Sequence, residues 1–534
     1  MRNIVLIPLL VMSCRTSSSN LFSHQDTACQ GASSLERSLS LLAPNELDPA
    51  LSVCLVRQFQ DNLNREKNET KDKMVNDVFD YQEVLEASSF LGKDIYSRKN
   101  IVDKKVYIKG PEIFGAHRRL IAAAQEEVLI QTYVWESVSS SAKEILTGLQ
   151  ELEKNHRANC ANCSPVIVRI VANHGPTALD IVASITGNEK VSDSGADARV
   201  AVKALNLDPR VVDAEVLTYK HKALGTNHAK NIVVDGQIAI VTGANPQRFN
   251  DPDINWNDLG FMVGGDVVRG LRKDLINNLV RARNGKESDG NQELAASLKT
   301  PYNKVFEKVS DVRSQMADPY EDPVGIPILI TGRNGNGFPS NSNNNTQDRG
   351  FQSLFQSARQ NIRIQTPNFN DDAAVRGLGS AIRRGVRVEM VHSKLFNCAS
   401  ENIPSQGGQN EKGISRLLEE IGASSPQSER LGVRWFSMEK NGQFQTVFDN
   451  PKGKAPETRP NNSHAKFMTV DDEVAVIGSA NHDTQSWNQS REINLMVFNS
   501  PVVKSWVDQV FTPNYGHGID VTADELIAKN IKCK

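Results

Sequence analysis

The stretch NHAKNIVVDGQIAIVTGAN (Asn227–Asn245) decides how this chain is read, because it returns as SHAKFMTVDDEVAVIGSAN (Ser463–Asn481). Each copy opens His-x-Lys, reaches an Asp after four intervening residues, and meets an Asn ten residues beyond that Asp. The first copy holds His228, Lys230, Asp235 and Asn245; the second holds His464, Lys466, Asp471 and Asn481. In a chain of 534 residues with ten histidines, one His-x-Lys says little, whereas two four-point matches in one register say a great deal. Residues in HAKNIVVD alternate as in a strand, which puts His228 and Lys230 on one face. Asp235-Gly236 suits a tight hairpin turn, and QIAIVTG a returning strand that brings Asn245 back toward His228. The second copy turns at Asp471-Asp472-Glu473.

Outward from the first copy, VLIQTYVW (Val128–Trp135) and PVIVRIVAN (Pro165–Asn173) read as buried strands. Between them, SAKEILTGLQELEKN (Ser141–Asn155) reads as a helix opened by serine. DLGFMV (Asp258–Val263) is a further strand, followed by the amphipathic helix VVRGLRKDLINNLVRAR. The order then recurs. ARQNIRIQTPNF (Ala358–Phe369) lines up with AQEEVLIQTYVW (Ala124–Trp135), VRVEMVH (Val386–His392) with VRIVANH (Val168–His174), and EINLMV (Glu492–Val497) with DLGFMV. Strand, helix, strand at this spacing predicts a mostly parallel mixed sheet flanked by helices, and the recurrence predicts two homologous α/β halves. The expected boundaries are a signal segment at 1–14, a helical and polar accessory region at 15–84, a first half at 85–285, a connection at 286–325 and a second half at 326–534. GRNGNGFPSNSNNNTQDRG (Gly332–Gly350) reads as a loop that either borders the site or lies on the surface.

The composition, 39% hydrophobic and 23% charged, is that of a globular chain large enough for more than one core. A net charge of -2 gives no overall attraction to nucleic acid, which favours basic domains. The chain begins MRNIVLIPLLVMSC, in which Arg2 precedes an apolar run too short to span a bilayer and suited to an export signal. Its end, Val11-Met12-Ser13-Cys14, resembles a bacterial lipobox. Cys14 would then carry lipid and tether an exported protein to the periplasmic side of a membrane or to the cell surface; a plain cleaved signal is the alternative. Cys160-Ala-Asn-Cys163 has only His156 near it, so a disulfide or surface thiols are preferred over zinc. Cys29 with Cys54 is a second candidate pair.

One half-site offers an imidazole, an ammonium and an amide. Two of them facing each other meet the needs of phosphodiester cleavage. A neutral His can attack phosphorus, a protonated His can protonate the leaving alcohol, and two Lys with two Asn can hold the non-bridging oxygens. None of these steps calls for a metal or other cofactor. Each imidazole also needs an anionic partner to set its tautomer. Asp258 and Glu492 suit that role, because each opens the equivalent strand of its half. Asp235 and Asp471 stand an odd number of residues from their His, on the other strand face, and are expected to be structural.

The two motifs resemble the paired signature of the phospholipase D superfamily, over roughly residues 85–515. The second copy is the closer, with Gly478-Ser479 where the first has Thr242-Gly243. NHDTQSWNQSREINL (Asn481–Leu495) is most similar to cardiolipin synthases and related phosphatidyltransferases. The resemblance implies a pseudo-twofold fold, active as a pseudo-dimer within one chain, with the site between its halves. It also implies a phospholipid substrate and a covalent phosphohistidine resolved by water or an alcohol, with His228 the preferred nucleophile. A nuclease or other phosphodiesterase of the same superfamily is the alternative, and a non-catalytic binding protein a third reading. Ser479, His174 and His392 are secondary candidates for substrate contact, the two histidines at strand ends where open sheets place ligands. Lys220, His221 and Lys222 read as added positive charge or as solvated surface, and Trp256 and Trp487 as packing or lipid contacts.

Overall fold

Each His-Lys stretch leads into an antiparallel hairpin, and one sheet is built around each hairpin. The computed structural model describes residues 95–159, 164–173, 193–219, 225–284, 312–335, 345–396, 406–440, 442–446 and 462–522, with Glu401, Glu525 and Leu526, all within one unit, Asp77–Lys534. The signal segment, the accessory region, Cys14, Cys29, Cys54, Cys160, Cys163, His174 and Lys220–Lys222 lie outside the described residues.

The first sheet contains β1 (Asn100–Asp103), β2 (Glu127–Thr132), β3 (Val166–Asn173), β4 (Val212–Tyr219), β5 (Asn231–Val234), β6 (Ile238–Thr242) and β7 (Leu259–Gly265). The second contains β8 (Ile328–Arg333), β9 (Asn361–Thr366), β10 (Arg387–His392), β11 (Leu431–Trp435), β12 (Phe467–Val470), β13 (Val474–Gly478) and β14 (Glu492–Phe498). Their spatial orders correspond strand for strand: β1-β7-β6-β5-β2-β3-β4 and β8-β14-β13-β12-β9-β10-β11. Among the described strands, parallel ladders join β2-β3-β4 and β9-β10-β11. The sheets are therefore mixed, with antiparallel pairs in the majority, and not mostly parallel. The strand-helix-strand units supply the parallel part, and the hairpins, together with long-range antiparallel pairs such as β2-β5 and β8-β14, supply the rest.

Helices α1 (Lys109–Ala123), α2 (Ser140–Asn159), α3 (Ser194–Ala204) and α4 (Asp266–Asn284) accompany the first sheet. Their counterparts are α5 (Thr346–Ser357), α6 (Asp372–Arg383), α7 (Asn410–Ile421) and α8 (Ser500–Trp506), the last running on through residues 507–511 into α9 (Thr512–Gly516). The apolar faces of α1 and α2, including Phe114, Leu120, Ile145 and Leu149, pack with Val168, Ile170, Ile232 and Ile240 of the sheet in one core. The predicted Gly332–Gly350 loop is shorter than expected: Gly332 and Arg333 end β8, and Thr346–Gly350 open α5 behind an Asn345 cap. Segments also cross between sheets. Tyr96–Ser97 pairs with β8, and Pro319–Tyr320 pairs with β1.

Asp235 and Gly236 take φ of 49° and 63°, and Asp471 and Asp472 take 54° and 55°, so both hairpins close through two left-handed residues. Those aspartates do more than turn the chain. The Asp235 carboxylate accepts the backbone N–H of Gln125, Glu126 and Glu127, at 3.0, 2.8 and 2.8 Å. Asp471 accepts those of Arg359, Gln360 and Asn361, at 2.9, 2.8 and 2.9 Å. Each turn is thereby bolted to the entry of the first parallel strand of its sheet, β2 or β9. Replacing either Asp with Ala strands three amide donors, so urea unfolding of Asp235→Ala or Asp471→Ala is expected to show a loss of roughly 2–3 kcal/mol. A change within about 0.5 kcal/mol, the range of ordinary surface substitutions, would remove the bolt from the account.

Candidate active site

His228, Ala229 and Lys230 are not part of β5, which begins at Asn231, and β12 likewise begins after Lys466. The motif histidines leave their own sheet because their backbone pairs with the other half. His228 N–H donates to Arg491 O at 2.9 Å, and Arg491 N–H to Thr226 O at 2.7 Å. In the same way His464 N–H donates to Asn257 O at 2.8 Å, and Asn257 N–H to Asn462 O at 2.7 Å. Residue 491 precedes Glu492, and residue 257 precedes Asp258. The backbone that holds each histidine therefore also delivers a carboxylate to it.

The carboxylates are exchanged between halves. His228 Nδ1 lies 2.8 and 3.1 Å from the two oxygens of Glu492, and His464 Nδ1 lies 2.9 Å from Asp258 Oδ2. Both carboxylates are fully buried, whereas His228 keeps 12% of its side chain exposed. With Nδ1 engaged, Nε2 is the ring nitrogen left for chemistry. Lys230 Nζ donates to His228 O, and Lys466 Nζ to His464 O, each at 2.6 Å.

Burial pushes the His228 imidazole below its usual range, opposed by Glu492 and reinforced by Lys230 and Lys466. His464 is brought down to about 4, by burial first, with Lys466 and Lys230 adding to it against Asp258. Burial likewise lowers Lys230 to about 7 and Lys466 to about 8. Glu492 goes the other way: burial raises its carboxyl, but His228, Lys230 and the Ser479 hydroxyl outweigh burial and hold it below the usual range. Groups of both halves thus act on one another electrostatically, as a single site requires.

The asparagines are buried beside this cluster. Asn245 Oδ1 accepts Val134 N–H at 3.2 Å, and Asn481 Nδ2 donates to Asp483 Oδ2 at 3.0 Å, leaving Asn481 Oδ1 without a partner. Ser479 does not face a substrate. It is fully buried and donates to Glu492, because the β13 backbone turns its hydroxyl toward β14. His392 is also withdrawn: its ring is wholly buried, bonded through Nδ1 to Thr366 O at 3.1 Å, stacked on Phe369, and lowered by burial to about 4. Trp487 is core packing against Phe351, while Trp256, stacked on Phe249, forms with Phe396 an aromatic wall beside the His464 ring. Sequence reading passed over Tyr133, whose ring meets His228 edge-on and lies 5.5 Å from Lys230 Nζ. It stands directly after the matched Ile-Gln-Thr, which was the available signal.

The family model of the cardiolipin synthase, PLD-like domain matches residues 351–512, which carry the second motif, Glu492 and the strands between. Residues 351–512 thus carry a phospholipase D-like domain. Among phospholipase D-like relatives the chain is 24% identical over 317 residues to cardiolipin synthase 2 of Staphylococcus epidermidis, covering 58% of this chain and 51% of that protein. It is 22% identical over 290 residues to a cardiolipin synthase of Clostridium perfringens, covering 53% and 48%. The chain thus spans about half the length of the curated relatives it matches. Phosphatidylserine synthase of Haemophilus influenzae shares the fold, with a TM-score of 0.52 at 13% identity over 79% of this chain and 89% of that one.

The buried histidines have a measurable consequence. His117, His392 and His464 fall to about 4 in the folded chain and His482 to about 3, against about 6.5 when exposed. Between pH 6.5 and 4 the unfolded chain therefore binds protons that the folded chain refuses. The contribution of these histidines is fully present above pH 6.5 and falls progressively as the pH drops to 4, while Asp348, Asp371 and Glu411, raised by burial to about 7, 6 and 7, contribute in the opposite sense. Replacing His392 with Gln should flatten that slope by about one proton in urea titrations at several pH values; an unchanged slope would contradict the buried neutral imidazole.

Proposed function

We propose that the protein is a phosphatidyltransferase or phospholipase D acting on glycerophospholipids, in the manner of a cardiolipin synthase. The observation that carries this reading is the exchanged pair of imidazole–carboxylate couples set over two buried lysines. In the first step Nε2 of one histidine forms a bond to phosphorus while the bond to the leaving alcohol breaks, and that alkoxide takes a proton from the other histidine. In the second step the now neutral histidine removes a proton from an incoming alcohol or water, whose oxygen displaces the phosphohistidine nitrogen. We assign the attack to His228 and the proton transfers to His464. Lys230 and Lys466, with Asn245 and Asn481, bind the non-bridging oxygens; an anion between the lysines offsets the burial that lowers them. Glu492 and Asp258 set each tautomer through Nδ1.

The lipid reading draws support from the cardiolipin synthase-type match and from relatives named for that activity. The export-like segment ending at Cys14 supports work at a membrane surface, with the lipidated Cys14 as anchor. Incubation with phosphatidylglycerol vesicles is expected to give cardiolipin and glycerol by transfer, or phosphatidic acid where water is the acceptor. His228→Ala and His464→Ala should each lower product formation by roughly a thousandfold or more, as expected for parts of one unit. No product from any of several phospholipids would overturn the lipid reading. Cleavage of DNA or RNA in chelator, lost in both variants, would put a nuclease in its place.

A further inference from the structure

The two imidazole–carboxylate couples are not braced alike. One residue before each carboxylate stand Arg491 and Asn257, at matching places in the repeat, and their backbones make matching bonds across the seam. Their side chains differ. Asn257 Oδ1 accepts Gln365 Nε2 at 3.2 Å, and Gln365 Oε1 accepts Asn514 Nδ2 of α9 at 3.0 Å, a clasp made only of neutral amides. Arg491 instead crosses to α4 of the first half, where its Nη2 lies 2.7 Å from Asp274 Oδ1 and 3.1 Å from the Asp274 carbonyl oxygen. Arg491 is 2% exposed and Asp274 9%.

The same helix reaches the histidine from behind. Asp274 Oδ2 accepts Gln131 Nε2 at 3.2 Å, and Gln131 is the repeat counterpart of Gln365. Asn278, one turn further along α4, donates to Gln131 Oε1 at 2.6 Å and to Asn227 Oδ1 at 3.1 Å. Through Asp274, α4 holds the residue before Glu492; through Asn278 it holds the residue before His228. A buried ion pair tolerates little displacement, because either charge without the other is left desolvated and unpaired.

We propose that Arg491 and Asp274 are a positioning couple: a buried ion pair across the seam that aligns Glu492 with His228, on one side of the site only. This rests on the phosphodiester-cleaving reading given above. The couple touches no substrate and acts through the aim of the His228 ring. A misalignment of that ring falls on the reacting step and leaves the lysines that receive the phosphate in place, so the effect belongs in kcat more than in KM.

The test uses the full chain and phosphatidylglycerol vesicles, with bis(4-nitrophenyl) phosphate as a soluble phosphodiester, assayed well below each variant's melting temperature. Asp274→Asn is expected to lower kcat roughly 10- to 100-fold with KM held within about twofold. Arg491→Lys, which keeps the charge but is one atom shorter in its reach to Asp274, should retain an intermediate kcat. The double variant should be no worse than Asp274→Asn, because members of one unit do not add. If Asp274→Asn does not fold, Arg491→Lys alone is read by the same split. An active wild type whose variants lose melting temperature but keep kcat overturns the positioning role, as do losses that multiply in the double variant. A wild type that cleaves neither phosphodiester overturns the parent reading and this inference with it.

Discussion

Neither motif histidine finds its carboxylate partner in its own half. His228 depends on Glu492, and His464 on Asp258. Both carboxylates are completely buried, and a buried carboxylate without a partner is strongly disfavoured. Apart, each half would therefore hold one acid without its imidazole and one unoriented histidine. Docking the halves relieves both at once, so the site and the interface draw on the same free energy. The short backbone pairings at residues 226–228 with 491, and 462–464 with 257, make that dependence local: the bonds that close the seam are those that aim the rings.

The electrostatics follow from placing two lysines and two histidines in this seam. Burial favours the neutral form of every cation there, and each lysine also disfavours the protonated form of the opposite half's histidine. Lowering to about 7 and 8 leaves Lys230 and Lys466 near their titration points at neutral pH. In the proposed reaction an incoming phosphodiester anion would change the balance for the whole cluster, because negative charge between the lysines raises the proton affinity of all four bases. A neutral imidazole would then be available for attack before substrate entry, and the proposed acid would be easier to protonate after it.

Period-two hydrophobic runs and the recurrence of Ile-Gln-Thr, His-x-Lys and Asn made the strands and the two halves legible in the sequence, since burial imposes that pattern locally. Pairing direction was less legible. Strand-helix-strand units suggested a mostly parallel sheet, while most of the ladder is antiparallel and much of it joins strands distant in sequence. His228 and Lys230 look like strand residues because they alternate, yet the His228 N–H is spent on the other half, which no local pattern records. Residue parity set Asp235 apart from His228, and its carboxylate indeed takes three amides of the β2 entry. Parity could not tell that Ser479 turns to Glu492, or that His392 is sealed behind Phe369. Above all, a repeat shows which residues correspond and not which copy each one faces. The exchange of Asp258 and Glu492 is therefore invisible until the sheets are docked.

Divergence between the copies is physically coupled across the seam. Where the second half has Ser479 bonded to Glu492, the first has Gly243 beside Asp258. A Cβ on Gly243 would stand 2.6 Å from Asp258 Oδ1 and 3.0 Å from Cδ of Lys466, so no serine fits there without displacing the carboxylate or the lysine stem. Glutamate with serine, and aspartate with glycine, are two fillings of equivalent pockets, and neither member can be exchanged alone. They are not equivalent chemically. Glu492 shares its charge between an imidazole and a hydroxyl, while Asp258 Oδ1 has no hydrogen-bond partner. The His464 ring, set among aromatic rings, faces a carboxylate held by fewer donors, and the His228 ring faces the more firmly held one. The two half-sites correspond residue for residue, and the residues that differ are those that set how tightly the partner of each ring is held.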